Sequence, residues 1–274
     1  MSDGQARERY ERFAALHAQD GPFIMPNAFD GLSAAVFAEA GFEAVATSSA
    51  AFAFGLGRHD GAHAVSAAEH IEHARILGLT SGLPVNGDFE DGYGRTPEDV
   101  AATVEAAVAG GLSGIGIEDT SGDPARPIRD FDEAVERVRR AAEAAKGRIV
   151  LTGRTDNFIQ GRPDLDDTIR RLTAFAEAGA DVLYAPYPPD LDAITAIVRA
   201  VAPKPVNVLL RPADRAVTVA ELRDAGVKRI SLGADPYLFA MGALRTAAAD
   251  LAKGDLTALT GGIGFGDAYG LLSR

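Results

Sequence analysis

Two hydrophobic periods alternate along this chain. Short apolar runs recur at 23–26, 44–47, 85–88, 114–118, 149–154, 182–185, 205–209 and 229–232. Runs this short and this continuously apolar read as buried parallel strands. Between them lie amphipathic stretches with helical spacing. The stretch 96–109 is the clearest, with Thr96 as N-cap, Pro97 at the first helical position and Gly110 at the end. The stretches 166–178, 190–201 and 218–225 follow the same pattern.

A weak repeat supports this reading. Helices end in a small residue plus glycine at Ala40-Gly41, Gly110-Gly111, Ala178-Gly179 and Ala225-Gly226, and a strand begins about three residues later. Strands alternating with helices give a parallel sheet, and eight such units close into a (β/α)₈ TIM barrel. An open doubly wound sheet is the rival, but no glycine fingerprint follows the first strand. GGIGFG at 261–266 follows a helical stretch and reads as tail. The expected organisation is one barrel domain over 1–274, with an N-terminal helix over about 1–20 and a C-terminal helical tail over about 253–274.

The totals narrow the function. At 274 residues, 47% apolar and 24% charged, the chain suits one large globular domain. Its net charge of −12, with no run of Lys or Arg, argues against nucleic acid and anionic membrane as partners. No apolar run reaches the ~18 residues that span a bilayer. The polar start MSDGQARERYERFAAL reads as a helix rather than a signal peptide, so the cytoplasm is the expected compartment. The chain has no Cys, which excludes disulfides, Cys-ligated zinc and thiol catalysis.

The chemistry concentrates at strand ends. The segment 83–94, LPVNGDFEDGYG, opens as a strand and then carries Asp88, Glu90 and Asp91. Asp88 and Glu90 are two apart, so in extended backbone they face the same side and repel. A cation between them relieves this, and oxygen-only ligands suit a hard ion, Mg²⁺ or Mn²⁺. Other strands end at Asn27, at Thr47-Ser48-Ser49, at Glu118 and Asp119, and at Arg154 and Asp156, while the seventh carries Asn207. In a barrel these converge on one mouth. Asp88, Glu90 and Glu118 are expected to hold the ion. Arg154 is expected to clamp a carboxylate, or else to pair with Asp156. Ser48 and Ser49 offer hydroxyls and backbone N–H groups to a substrate oxygen. A 2-oxo carboxylate chelating the ion would then react through an enolate.

The motifs PNAFD at 26–30, TSSA at 47–50, GRHDG at 57–61, DFEDGYG at 88–94, GIED at 116–119, GRTD at 153–156, AGAD at 178–181 and PVNVL at 205–209, in this order, resemble the isocitrate lyase/phosphoenolpyruvate mutase superfamily from about residue 20 to 250. The resemblance implies a (β/α)₈ barrel, a Mg²⁺ cofactor, a small 2-oxo acid substrate, and a homo-oligomer, usually a tetramer of helix-swapped dimers. It also implies that Asp60 is an acid near metal and substrate, and that Asp88, Glu90 and Glu118 form the metal shell. By the same resemblance Arg154 binds the substrate carboxylate, the stretch 47–50 (Thr47, Ser48, Ser49) holds substrate oxygens, and Asn207 is a substrate contact.

Departures from the family pattern bear on the reaction. Lyases of the superfamily carry a Cys-containing loop after the fourth strand, whereas segment 120–129 here reads TSGDPARPIR. The phosphonate enzymes carry a Lys-rich lid, for which only Arg126 and Arg129 stand nearby. What remains is decarboxylation, hydrolysis or retro-aldol cleavage of an oxaloacetate-like acid. The rivals are a P–C bond enzyme and a catalytically silent 2-oxo acid-binding barrel. The spacings His59/His63 and His70/His73 are compatible with a Zn²⁺ pair, but the apolar face of AAEHIEHARIL is Ala68, Ile71 and Ala74, which puts His70 and His73 on a solvated side. His59, beside Asp60, reads as a proton carrier or a plain loop residue.

Overall fold

The computed structural model describes residues 3–61, 63–210 and 217–273. The first two positions and the last fall outside that range, so the ends of the expected N-terminal helix and tail do too. After α1 (Asp3–Ala18), strands and helices alternate: β1 (Phe23–Met25), α2 (Gly31–Glu39), β2 (Val45–Ala46), α3 (Ser49–Gly55), α4 (Ala67–Ser81), β3 (Val85–Asp88), α5 (Pro97–Ala109), β4 (Gly114–Glu118) and α6 (Phe131–Ala145). The second half runs β5 (Val150–Arg154), α7 (Leu165–Glu177), β6 (Val182–Tyr184), α8 (Leu191–Val201), β7 (Val206–Val208), α9 (Val219–Asp224), β8 (Arg229–Ser231) and α10 (Asp235–Leu251). A 3₁₀ turn (Leu256–Leu259) and α11 (Phe265–Leu272) complete it.

All eight expected strands form. They pair in parallel in the order β1-β8-β7-β6-β5-β4-β3-β2. The two ends of that order meet in a parallel bridge between Asn27 and Ala46, with Ala46 N–H donating to Pro26 O and Ala28 N–H to Ala46 O. The sheet is thus a (β/α)₈ barrel. The caps read from the sequence also form: Thr96 accepts from Asp99 N–H while the Asp99 carboxylate accepts from Thr96 N–H, and Pro97 starts α5. No helix among the described residues is long and apolar enough to cross a membrane.

The bottom of the barrel is closed by α1. Phe13 is fully buried against Phe23, Met25, Ala46, Val150 and Val182. Burial of that one ring stabilises the fold by about 2 kcal/mol. At the other end of the chain, α11 lies against α2 and buries Leu271. Helix α10 buries none of its side chains, leaving Leu238, Phe239 and Leu244 in solvent.

Register places one row of side chains on the inner wall. Glu118 pairs with Arg154, Arg154 with Tyr184, Tyr184 with Asn207, and Asn207 with Arg229. Directly paired residues of parallel strands face the same way, and strand tilt carries such a row from mouth to floor. Barrel interiors are usually layered with Val, Ile and Leu; this row is polar.

Two expectations are corrected. Glu90 does not continue the strand. Strand β3 stops at Asp88, Phe89 is buried, and Glu90 takes a left-handed φ of 45°. Strand alternation therefore does not set its direction. His70 and His73 are buried rather than solvated, because the inner face of α4 is His70, His73, Ala74 and Leu77.

Candidate active site

The acidic loop after β3 is held in a strained shape. Glu90 and Tyr93 both have positive φ, 45° and 56°. Each such residue costs about 1 kcal/mol or more, and the cost persists only where the surroundings fix it. Gly92, at φ 88°, must be glycine, since a Cβ there would lie 2.8 Å from Val100. Asp91, buried beneath the loop, supplies the fixing. It accepts from Arg129 Nη2 at 2.7 Å and Arg137 Nη2 at 3.3 Å, and pairs with His63 Nε2 at 2.6 Å. The sequence reading did not single out this hub; its only trace was the DFEDG triplet of acids.

Arg154 is the cation of the mouth. Its Nε and Nη2 hold Asp156 bidentately at 2.5 and 2.9 Å. Its Nη1 lies 3.1 Å from Asp88 Oδ1 and 3.0 Å from Glu118 Oε2. The guanidinium carbon stands 5.3 Å from the centre of the Tyr184 ring. Of the two readings of Arg154 the structure shows the pair with Asp156, while its remaining nitrogen faces two of the acids expected to hold an ion. Burial pushes the Glu118 and Asp156 carboxyls up, and the Arg154 charge opposes this in both.

The remaining expected residues divide by position. Ser49 donates to Asp88 Oδ2 through its N–H at 3.0 Å and its hydroxyl at 3.1 Å. Ser48 caps α3, accepting from Ala51 N–H. Thr47 is fully buried, and its hydroxyl oxygen accepts from Asp88 N–H at 2.9 Å. Asp60 sits on an exposed loop with its carboxyl turned towards Ser49. Crowding there and the neighbouring Asp88 charge raise its proton affinity. Glu90 Oε2 accepts from His63 N–H at 3.2 Å, and burial raises its pKa. Asn207 lies deeper, bridging Arg229 Nε and Ser231 Oγ. His59 is exposed on the loop.

Two connected spaces result. An outer one of about 650 Å³ is lined by Asp60, Glu90, Glu118, Thr120 and Arg154. An inner one of about 150 Å³ reaches down past Ser49, Asp88, Tyr184 and Asn207 to Arg229. Among the described residues no three His, Asp or Glu side chains converge closely enough to enclose a bare ion. Asp119, by contrast, is a fastener: buried, it accepts from Thr155 Oγ1, Asp156 N–H and Arg171 Nη1. Segment 120–129 folds back on itself through a Thr120–Ile128 bridge. Arg129 lines the outer space but is engaged by Asp91 and Glu133, and Arg126 lies in the open near Asp123.

A family model described as phosphoenolpyruvate phosphomutase matches residues 13–252. The chain is similar to oxaloacetate decarboxylase from Paraburkholderia xenovorans, 33% identical over 80% of this chain and 74% of that one. It superposes with a TM-score of 0.94 on a crystal structure of a Burkholderia cenocepacia protein described only as a candidate lyase/mutase, at 39% identity over 99% and 98% of the two chains. Oxaloacetate acetylhydrolase with bound oxalate superposes at 0.88, with 25% identity over 97% and 94%. With this match and this barrel, the chain belongs to the phosphoenolpyruvate phosphomutase family, within the isocitrate lyase/phosphoenolpyruvate mutase superfamily.

Proposed function

We propose that this protein is an Mg²⁺-dependent enzyme, with Mn²⁺ as the alternative ion, that acts on a small oxaloacetate-like 2-oxo carboxylate through an enolate and breaks a C–C bond by decarboxylation or cleavage. One observation carries the reading: Asp88 and Glu118 converge on a single nitrogen of Arg154 at the strand ends. That cluster sets oxygen-only donors beside a planar fork suited to carboxylates. Asp60 and Glu90 add two further carboxyls whose proton affinity is raised. This is a donor set suited to a hard dication. Since no three acids among the described residues close on a bare ion, Asp88, Glu90 and Glu118, with Asp60 alongside, would hold it partly through water. When bound, the ion supplies Lewis-acid polarisation of the substrate carbonyl.

The chain's own residues do the rest. Ser49 fixes the direction of Asp88. Arg154 orients the substrate carboxylate over Tyr184. Thr47 and Ser48 hold the strand end that carries Ser49, and Asn207 walls the inner space. Asp60, at the rim, handles the proton that the enolate takes up. The short hairpin at 120–129 leaves the mouth open to water, which favours protonating the enolate. The relatives named oxaloacetate decarboxylase and oxaloacetate acetylhydrolase support an oxaloacetate-like substrate. Arg129 is tied to Asp91 and Glu133 and Arg126 is turned towards Asp123, an arrangement that favours a carboxylate over a phosphonate. The bare apolar side of α10 supports a homo-oligomer, a dimer or tetramer.

The test is purified protein with Mg²⁺, and the same protein stripped with EDTA, assayed with oxaloacetate, phosphonopyruvate and 2-methylisocitrate. Metal-dependent release of pyruvate and CO₂, or of oxalate and acetate, from oxaloacetate is the expected result. Release of phosphate from phosphonopyruvate alone, or turnover of 2-methylisocitrate alone, would refute it.

A further inference from the structure

Arg229 is the one buried arginine whose charge the described residues leave unanswered. Arg137 has Asp91, and Arg171 has Asp119 and Asp167. Arg229, 1% exposed on β8, meets only neutral acceptors: Asn207 Oδ1 at 2.9 Å from Nε, Thr152 Oγ1 at 3.0 Å from Nη2, and His17 Nε2 at 3.3 Å from Nη1. His17 cannot be a hidden countercharge. Its Nδ1 faces Phe13 O at 2.9 Å and must donate there, so Nε2 accepts from the guanidinium and the ring is neutral. Among the described residues no carboxylate lies within ion-pair distance of Arg229. A guanidinium has five N–H groups, and these three bonds use three of them.

Its position gives the missing partner. Arg229 lines the inner space of about 150 Å³, at the opposite end from Asp60 and Asp88. It ends the polar row that runs Glu118, Arg154, Tyr184, Asn207, Arg229. The mouth is therefore rich in carboxylates while the floor holds a lone cation. A buried charge is tolerated when an opposite charge joins it, and an arginine fork matches a carboxylate geometrically. We propose that Arg229 is the anchor for the distal carboxylate of a dicarboxylic substrate, with Asn207 positioning its guanidinium and the 2-oxo acid end lying at the mouth. This rests on the reading of the mouth given above and adds a specificity determinant to it.

The test compares ligands that differ only at the far end. Calorimetry with Mg²⁺ would titrate 3,3-difluorooxaloacetate, a dicarboxylate, and 3,3-difluoro-2-oxobutanoate, which has a methyl in place of the distal carboxylate. Oxalate serves as a probe of the mouth alone. The native chain is expected to prefer the dicarboxylate over its methyl analogue by at least about tenfold. In Arg229→Gln, which retains hydrogen-bonding capacity towards Asn207 and Thr152, that preference is expected to vanish while oxalate affinity stays within twofold, and Arg229→Lys should recover part of it. Equal binding of both 2-oxo acids by the native chain, or a loss in Arg229→Gln that is the same for oxalate, overturns the proposal and leaves the mouth reading standing. If the native chain binds none of the three with Mg²⁺, the mouth reading fails instead. The floor is then judged on metal-free protein with succinate, whose binding must be present in the native chain and lost in Arg229→Gln. If Arg229→Gln does not fold, by circular dichroism, the native preference together with Arg229→Lys decides.

Discussion

Thr47 Oγ1 and His70 Nε2 lie 2.7 Å apart, and the direction of their bond is set three groups away. When Glu90 is ionised it can only accept, and the Tyr93 hydroxyl beside it then donates. His70 Nδ1, 3.0 Å from the same Tyr93 oxygen, must then donate in turn, which leaves Nε2 to accept from the Thr47 hydroxyl. Thr47 Oγ1 also accepts from Asp88 N–H. A single buried chain of polar groups thus links the backbone of Asp88 to the carboxylate of Glu90. Tyr93→Phe removes the last link without changing volume. It is expected to weaken Mg²⁺ binding about tenfold, the usual scale for partners that orient metal ligands, and to cost about 1 kcal/mol of stability because buried His70 Nδ1 loses its acceptor. Isothermal calorimetry checks it.

Arg154→Lys keeps a positive charge but loses the fork. A single ammonium cannot hold Asp156 bidentately and also face Asp88 and Glu118. The variant is expected to fold and to lose about 10²-fold or more in kcat/KM on oxaloacetate, the scale on which misplaced orienting groups act. Steady-state kinetics at saturating Mg²⁺ measures this.

Asp91→Asn should be costly to the fold. Arg137 reaches Asp91 and Gly94 through Nη2, and among the described residues its Nε and Nη1 have no partner. Removing the carboxylate leaves two guanidinia, those of Arg129 and Arg137, short of their countercharge. A loss of about 3 kcal/mol is expected, read from urea unfolding.

His73 gives a pH signature. It is buried, stacked on Phe52 at 4.0 Å, and burial holds its pKa down at about 4 against an ordinary 6.5. The folded state binds fewer protons there than the unfolded chain. Its contribution is therefore complete above about pH 6.5 and drains away as pH falls towards 4. His73→Phe removes that drain. Relative to the native chain, the variant should gain about 2.5 kcal/mol on going from pH 7.5 to 4.5. Urea unfolding at the two pH values measures the difference, in which the many acids of the mouth cancel.

The oligomer is tested on α10. Phe239 is 82% exposed and Leu244, five residues further along the same helix, is 53% exposed. A double change, Phe239→Glu with Leu244→Glu, should shift the assembly to a smaller species in light scattering while leaving the far-ultraviolet circular dichroism unaltered. An unchanged mass would show that this helix is not the contact.

Much of the barrel was written in local signals. Thr96-Pro97, Asp190 and Thr218 start helices where expected, because capping chemistry is local. The convergence of Asp88, Glu118 and Arg154 followed from strand ends alone. Other features needed tertiary context. Two-residue alternation misjudged Glu90, since a left-handed turn follows Asp88. The face of α4 was misassigned, although the spacing 70, 73, 74, 77 describes one helical stripe once histidine is allowed inside. Arg229 looked like an ordinary strand residue. The alternation Arg229, Ile230, Ser231 was the available hint that two polar groups point inward. The partners of Asp91 come from residues 63, 129 and 137, a grouping that no local pattern announces.

The plug formed by α1 has a kinetic meaning. Phe13 and His17 stopper the base, and the described residues that line the inner space run from Arg229 up to the rim. A small solute bound at its foot is therefore expected to come and go past Asp60 and Ser49, and a bulkier one lodged among those rim residues should slow both its arrival and its departure.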